Sequence, residues 1–137
     1  MLLPSLIEDN ITELLVEIIE FTQARHRILT ENIKNYQNDD FLPMDLATDE
    51  FSILLHNSIN EHVSNQRLVM FDTDHIKFGA DGTFEAIPRP DEYARELLKT
   101  DPEQYLDFQI DNLMENMLNQ KIATELLTQK QQAGSLQ

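Results

Sequence analysis

Two apolar stripes, one near each end of the chain, constrain its fold more than any other feature. Ile7, Ile11, Leu14, Leu15, Ile18, Ile19, Leu29, Ile33 and Tyr36 recur on one side of a helix near the N-terminus. Ile110, Leu113, Met114, Met117, Leu118 and Ile122 do the same near the C-terminus. Each stripe lies on a segment too long to be one core element of a compact 137-residue domain, and neither can cover itself. Packing the two ends side by side hides both stripes and leaves the middle as an insertion. The expected fold is therefore mainly α: long terminal helices packed as an antiparallel, coiled-coil-like pair, with a small helical and β-hairpin insertion between them.

Local signals divide this single domain, 1–137. Ser5 followed by Glu8 reads as a capping box that opens an N-terminal helix over 6–36, its apolar face broken only at Thr22, Arg25 and His26. Asn35, Gln37, Asn38, Asp39 and Asp40 compete with helical backbone bonding through their own side chains, and Pro43 follows. Within the insertion, 37–104, Thr48 with Asp49 and Glu50 starts a second helix carrying Phe51, Leu54, Leu55, Ile59 and Val63. Ile76 and Phe78, then Phe84 and Ala86, alternate with polar neighbours around Gly79-Ala80-Asp81-Gly82, the pattern of a hairpin. Tyr93, Leu97 and Leu98 mark a short helix between Asp91 and Lys99, and Asp101-Pro102-Glu103-Gln104 opens the closing helix, 105–130. Residues 131–137 read as a flexible tail.

Charge and chemistry narrow the function classes. A net charge of −15 and a pI near 4.4 argue against nucleic acid and anionic membranes, which need clustered Lys and Arg. No base lies between Lys34 and Arg67, whereas Asp39, Asp40, Asp45, Asp49, Glu50 and Glu61 do. That run reads as a solvated face, with a grip on a basic partner as the alternative. The absence of cysteine excludes disulfides, thiol catalysis and thiolate metal sites, and leaves the redox compartment open. No apolar run approaches the roughly 20 residues of a bilayer span, and no basic-then-apolar leader is visible, so neither membrane insertion nor a cleaved signal is expected.

His56 and His62 lie about 240° apart around a helix, and the set His26, His56, His62 and His75 makes no ligand pattern. Asp72-Thr73-Asp74 begins like a calcium loop, but Lys77 holds the position that requires glycine. With no phosphate loop, nucleophile elbow or zinc-protease motif, neither an enzyme nor a cofactor is expected. Leu113, Met114, Met117 and Leu118 read as core, with a greasy docking groove as the alternative. Asn112, Asn116 and Asn119, on the opposite side, read either as a solvated face or as register-fixing contacts to another subunit.

Two segments carry a family resemblance. Gln23-Ala24-Arg25-His26-Arg27-Ile28-Leu29-Thr30-Glu31-Asn32-Ile33-Lys34-Asn35, followed by Phe41-Leu42-Pro43-Met44-Asp45-Leu46, resembles the N-terminal motif of flagellar basal-body rod proteins, closest to the FlgB type of the proximal rod. Leu106 to Asn116, continuing through Ala123-Thr124-Glu125-Leu126-Leu127, is similar to that family's closing helix. Asn32, Ile33 and Asn35 match its Asn-Ile-x-Asn, and Phe41 stands where a tyrosine is expected. Leu113, Glu115, Asn116, Leu126 and Leu127 are the corresponding C-terminal positions. Lys34, Asn38, Asp39 and Asp40 depart from the pattern, since the family's Thr-Pro-Gly turn is missing and side-chain bonds from Asn38 and Asp39 must replace it.

The resemblance implies a structural subunit of the rod, assembled with other axial proteins and with copies of itself. It also implies delivery by the flagellar export apparatus without a cleaved signal, and a place in the periplasmic part of the basal body. Asn32, Asn35 and Asn116 are then candidates for register-setting contacts. A competing expectation is a helical adaptor or export chaperone whose acidic middle binds a basic client. A third, an acidic hydrolase, requires a pocket that gathers histidines and carboxylates.

Overall fold

The computed structural model describes the backbone at residues 2–79 and 84–135 and the side chains at residues 10–79 and 84–133. Helix α1, Leu2–Lys34, and helix α4, Pro102–Ser135, run 33 and 34 residues, each about 50 Å long. They form the most extensive contact between any two elements. Asn32 meets Gln109 while Thr22 meets Asn116, so the two helices run antiparallel. Their bounds differ from those expected: α1 is helical from Leu2 but stops at Lys34, short of 36, and the supposed tail is helical through Ser135. The expected cap at Ser5 is thereby corrected, since Ser5 lies within the helix rather than before it; the side chains of Ser5, Ile7 and Glu8 lie outside the described residues.

The insertion follows the local signals closely. After α1 the chain turns at Asn38, whose Oδ1 accepts the Asp40 N–H at 3.2 Å, an Asx turn that replaces the missing proline and glycine. Strand β1, Met44–Asp45, leads to α2, Thr48–Asn65. The hairpin forms as expected between β2, Ile76–Phe78, and β3, Phe84–Ala86, although most of its turn lies outside the described residues. Strand β4, Arg89–Pro90, returns to pair antiparallel with β1. Helix α3, Glu92–Thr100, starts at Asp91, whose carboxylate accepts the Ala94 N–H.

Two cores result. In the first, Phe21 of α1 stacks on Phe51 of α2 with centroids 4.0 Å apart, and Leu46, Leu54 and Ile76 close around them under the hairpin. In the second, Ala94, Leu98 and Tyr105 bury against Tyr36, Phe41 and Phe108 where α3 folds onto α4.

The expected seam is corrected in one respect: the faces of α4 are exchanged. Ile110, Met114, Met117, Leu118 and Ile122 are exposed and Leu113 is half-buried. Tyr105, Gln109, Asn116 and Ala123 are the residues that α4 buries. Across the interface Gln109 Oε1 accepts from Asn32, the Tyr105 hydroxyl donates to the Asn32 carbonyl and Asn116 donates to the Thr22 carbonyl, while Gln109 Nε2 is buried without a partner. Ile59 and Val63 of α2 are likewise exposed, because that helix buries only the side bearing Phe51, Leu54, Ser58 and His62.

Candidate assembly interface

The seam is organised by polar side chains. Asn32, 1 % exposed, donates from Nδ2 to the Met44 carbonyl at 2.7 Å and to Gln109 Oε1 at 3.1 Å, and its Oδ1 accepts the Met44 N–H at 3.3 Å. Its amide therefore serves Met44 as a neighbouring strand would, and ties α1, β1 and α4 together. The Tyr105 hydroxyl donates to the Asn32 carbonyl at 2.9 Å. Burial first, with the charge of Asp91 added, pushes the Tyr105 phenol up to about 12, so it stays a donor.

Two turns before Asn32, Arg25 grips Asp45 with both Nε and a terminal nitrogen at 2.9 Å, the two-point geometry that guanidinium favours. Burial, more than the nearby charge of Asp45, raises the Asp91 carboxyl above the usual range. Further along, Asn116 donates to the Thr22 carbonyl at 2.7 Å. Thr22 and Arg25, the apparent breaks in the α1 stripe, thus belong to the seam.

The motif residues divide accordingly. Asn32 and Asn116 are both buried in the seam, at separate levels where they meet Gln109 and Thr22, and Phe41 and Tyr36 pack in the second core. Asn35 lies outside the seam, and its amide donates to the Glu31 carbonyl one turn back on its own helix. Asn116 is corrected from a solvated or intersubunit position to a buried one, whereas Asn119 is exposed. Ile33 and Leu127 are half-buried, and Glu115 and Leu126 face outward.

The acidic middle run is also less free than expected. Asp45 is held by Arg25, Asp49 and Glu50 by Arg89, and Glu61 by Arg67. Glu50 additionally accepts the backbone N–H and ring nitrogen of His75. A bond from Thr73, followed by those from His75, lowers its carboxyl to about 2. Among the described residues no group of His, Asp and Glu is placed to hold a metal ion, and no helix is long and apolar enough to cross a membrane.

Outside the seam α4 presents Ile110, Met114, Leu118, Ile122 and Leu126, spaced by four and all at least 37 % exposed. Such spacing makes a single ridge along the helix surface. Grooves flank α4 on either side. One, about 500 Å³, is floored by Leu15, Ile18 and Phe21 of α1 and walled by Phe51, Leu55 and Ile122. The other, about 900 Å³ and wide open, lies between α1 and α4 and presents His26, Arg27, Met117, Lys121 and Glu125.

Sequence reasoning missed the polar seam although its signal was present: Tyr105, Gln109, Asn112 and Asn116 alternate in steps of four and three residues. Set against known protein families, characterised proteins and solved structures, the chain matches none.

Proposed function

We propose that this chain is a structural subunit of the proximal rod of the bacterial flagellum, of the FlgB type. The observation that carries the reading is the lengthwise clasp of the two chain ends, with Asn32 of one matched motif and Asn116 of the other both buried in it. Thr22, Arg25, Leu29 and Asn32 on α1, like Tyr105, Gln109, Asn112 and Asn116 on α4, alternate in steps of three and four. This spacing suits a coiled-coil pairing, in which buried amides fix one register at some cost in stability. The work is mechanical rather than catalytic, and no cofactor enters it.

In this reading the clasped ends form the wall of a shaft. The exposed ridge of α4 meets neighbouring axial proteins or further copies through contacts that do not close on themselves. The flagellar export apparatus delivers the subunit to the periplasmic rod. An adaptor gripping a basic client through the acidic middle has less to recommend it, because Arg25, Arg67 and Arg89 already pair with Asp45, Glu61, Asp49 and Glu50. Deletion of the gene followed by imaging of basal bodies tests the proposal. Rodless basal bodies with the export machinery intact are expected, and normal rods with normal swimming would refute it.

A further inference from the structure

We propose that the cavity between the C-terminal half of α2 and the chain that follows it binds a neutral sugar, a pyranose ring lying on Phe71 with its hydroxyls bonded to Glu61, Arg67 and the amides of Asn57 and Asn60. The site is independent of the rod reading and of the α1–α4 seam.

Of the seven phenylalanines Phe71 is the one that ends exposed, at 65 %, and it stacks on no other ring among the described residues. It lines a cavity of about 430 Å³ together with Asn57, Asn60, Glu61, Asn65 and Arg67. That volume lies within the range of small-molecule sites, which combine an apolar surface with a few converging polar groups. An aromatic face left in water is a platform for a ligand with a flat apolar side.

The polar groups beside it are held in place before any ligand arrives. Gln66 closes α2 in the left-handed conformation, at φ 58°, and turns the chain back so that Arg67 reaches Glu61. Arg67 donates from Nε to Glu61 Oε1, the oxygen that also accepts Asn65 Nδ2 at 2.9 Å. The bond from Arg67, then that from Asn65, lowers the Glu61 carboxyl, which therefore stays an acceptor at neutral pH. Glu61 Oε2, the terminal nitrogens of Arg67 and the side chains of exposed Asn57 and Asn60 make no hydrogen bond to the protein among the described residues.

Charge selects the class of ligand. Beyond Glu50, with its histidines neutral, α2 carries no charge but Glu61, and Arg67 cancels that one, so the cavity is neutral within a chain of net charge −15. An anion is repelled by such a chain, and a cation has to displace Arg67 from Glu61. A wholly apolar partner would bury the amides and the ion pair without replacing their bonds to water. A pyranose presents a face of C–H groups to the ring of Phe71 and a rim of hydroxyls that both donate and accept. It therefore satisfies the Glu61 acceptor, the Arg67 donors and the two amides at once.

Titration of the full, isotope-labelled chain with chitotetraose and with cellotetraose, followed by amide NMR, tests the site. Shifts confined to residues 57–71 are expected with at least one of the two, and none with polygalacturonate, whose carboxylates the chain repels. Phe71→Ala is expected to bind at least tenfold more weakly and Phe71→Trp to retain binding, while Ile53→Ala, on the same helix outside the cavity, binds as wild type does. Phe71 and Ile53 are both exposed, and circular dichroism verifies that each variant folds. No shift with either neutral sugar, shifts spread over the whole chain, an equal response to polygalacturonate, undiminished binding by Phe71→Ala, or loss of binding by Phe71→Trp or Ile53→Ala would each overturn the site. None of these touches the deletion phenotype, so the sugar site can fail while the rod reading stands.

Discussion

Replacing Glu17 with glutamine should change the pH dependence of stability in a calculable way. Glu17 is 3 % exposed and its Oε2 has no hydrogen-bond partner. Burial, reinforced by the charges of Glu13 and Glu20 on the same helix, raises its carboxyl from 4.5 to about 7. The folded chain therefore binds a proton that the unfolded chain has released between those two values. Stability falls as pH rises through this window, and below it the penalty vanishes.

Each pH unit between the two values costs about 1.4 kcal/mol, so ionised Glu17 costs about 3 kcal/mol in full. In a chain of this size that corresponds to roughly 10 °C in melting temperature. Thermal unfolding of wild type and Glu17→Gln, followed by circular dichroism from about pH 4 to about pH 8, measures the difference. At the acid end both side chains are neutral, so the gap remaining there is the intrinsic cost of the amide. The difference should then shift toward Glu17→Gln as pH rises, and two curves that stay parallel across the range would refute the burial argument.

Three other substitutions test the seam and the insertion. Asn116→Ala removes the bond to the Thr22 carbonyl and opens a gap, and should cost about 2 kcal/mol in urea denaturation, whereas exposed Asn119→Ala should stay within about 0.5 kcal/mol. Asp45→Asn leaves the buried Arg25 guanidinium without its counter-charge and should cost about 3 kcal/mol; Arg25→Met combined with Asp45→Leu should recover most of that loss by the same measurement. Glu50, lowered to about 2 by Thr73 and His75, stabilises the fold above its unfolded value near 4.5 and loses that contribution as pH falls toward 2. A Glu50→Gln chain should be weaker at neutral pH and lack this acid limb in pH-dependent melting.

The elements that were legible in the sequence carry their signals within a few residues. Asp91 and Asp101 start helices where local chemistry says they should, and Phe78 and Phe84 pair across the hairpin that their alternation implies. The β1–β4 bridge was not legible, because two residues on each side make no pattern. The Arg25–Asp45 pair joins positions twenty residues apart, and nothing local to either one selects the other. The α4 seam failed for a different reason. Hydrophobic periodicity locates an apolar face but assumes that the chain itself covers it, and α4 turns that face outward.

That inversion has an energetic logic of its own. An apolar seam between two helices of this length would pack in several registers with similar energy, because a Leu accepts many neighbours. Asn32 accepts few: only one alignment brings Met44 and Gln109 within reach of its amide, and any slip buries polar groups unpaired at about 1–3 kcal/mol each. Polar residues inside thus fix where α4 lies along α1, and hence where the ridge from Ile110 to Leu126 stands relative to the groove at Arg27. Under the proposed rod reading a small error in that offset would accumulate along the shaft, so register would matter more than the stability of the free chain. Exchanging the two faces of α4 would yield a better-covered chain, with no exposed ridge.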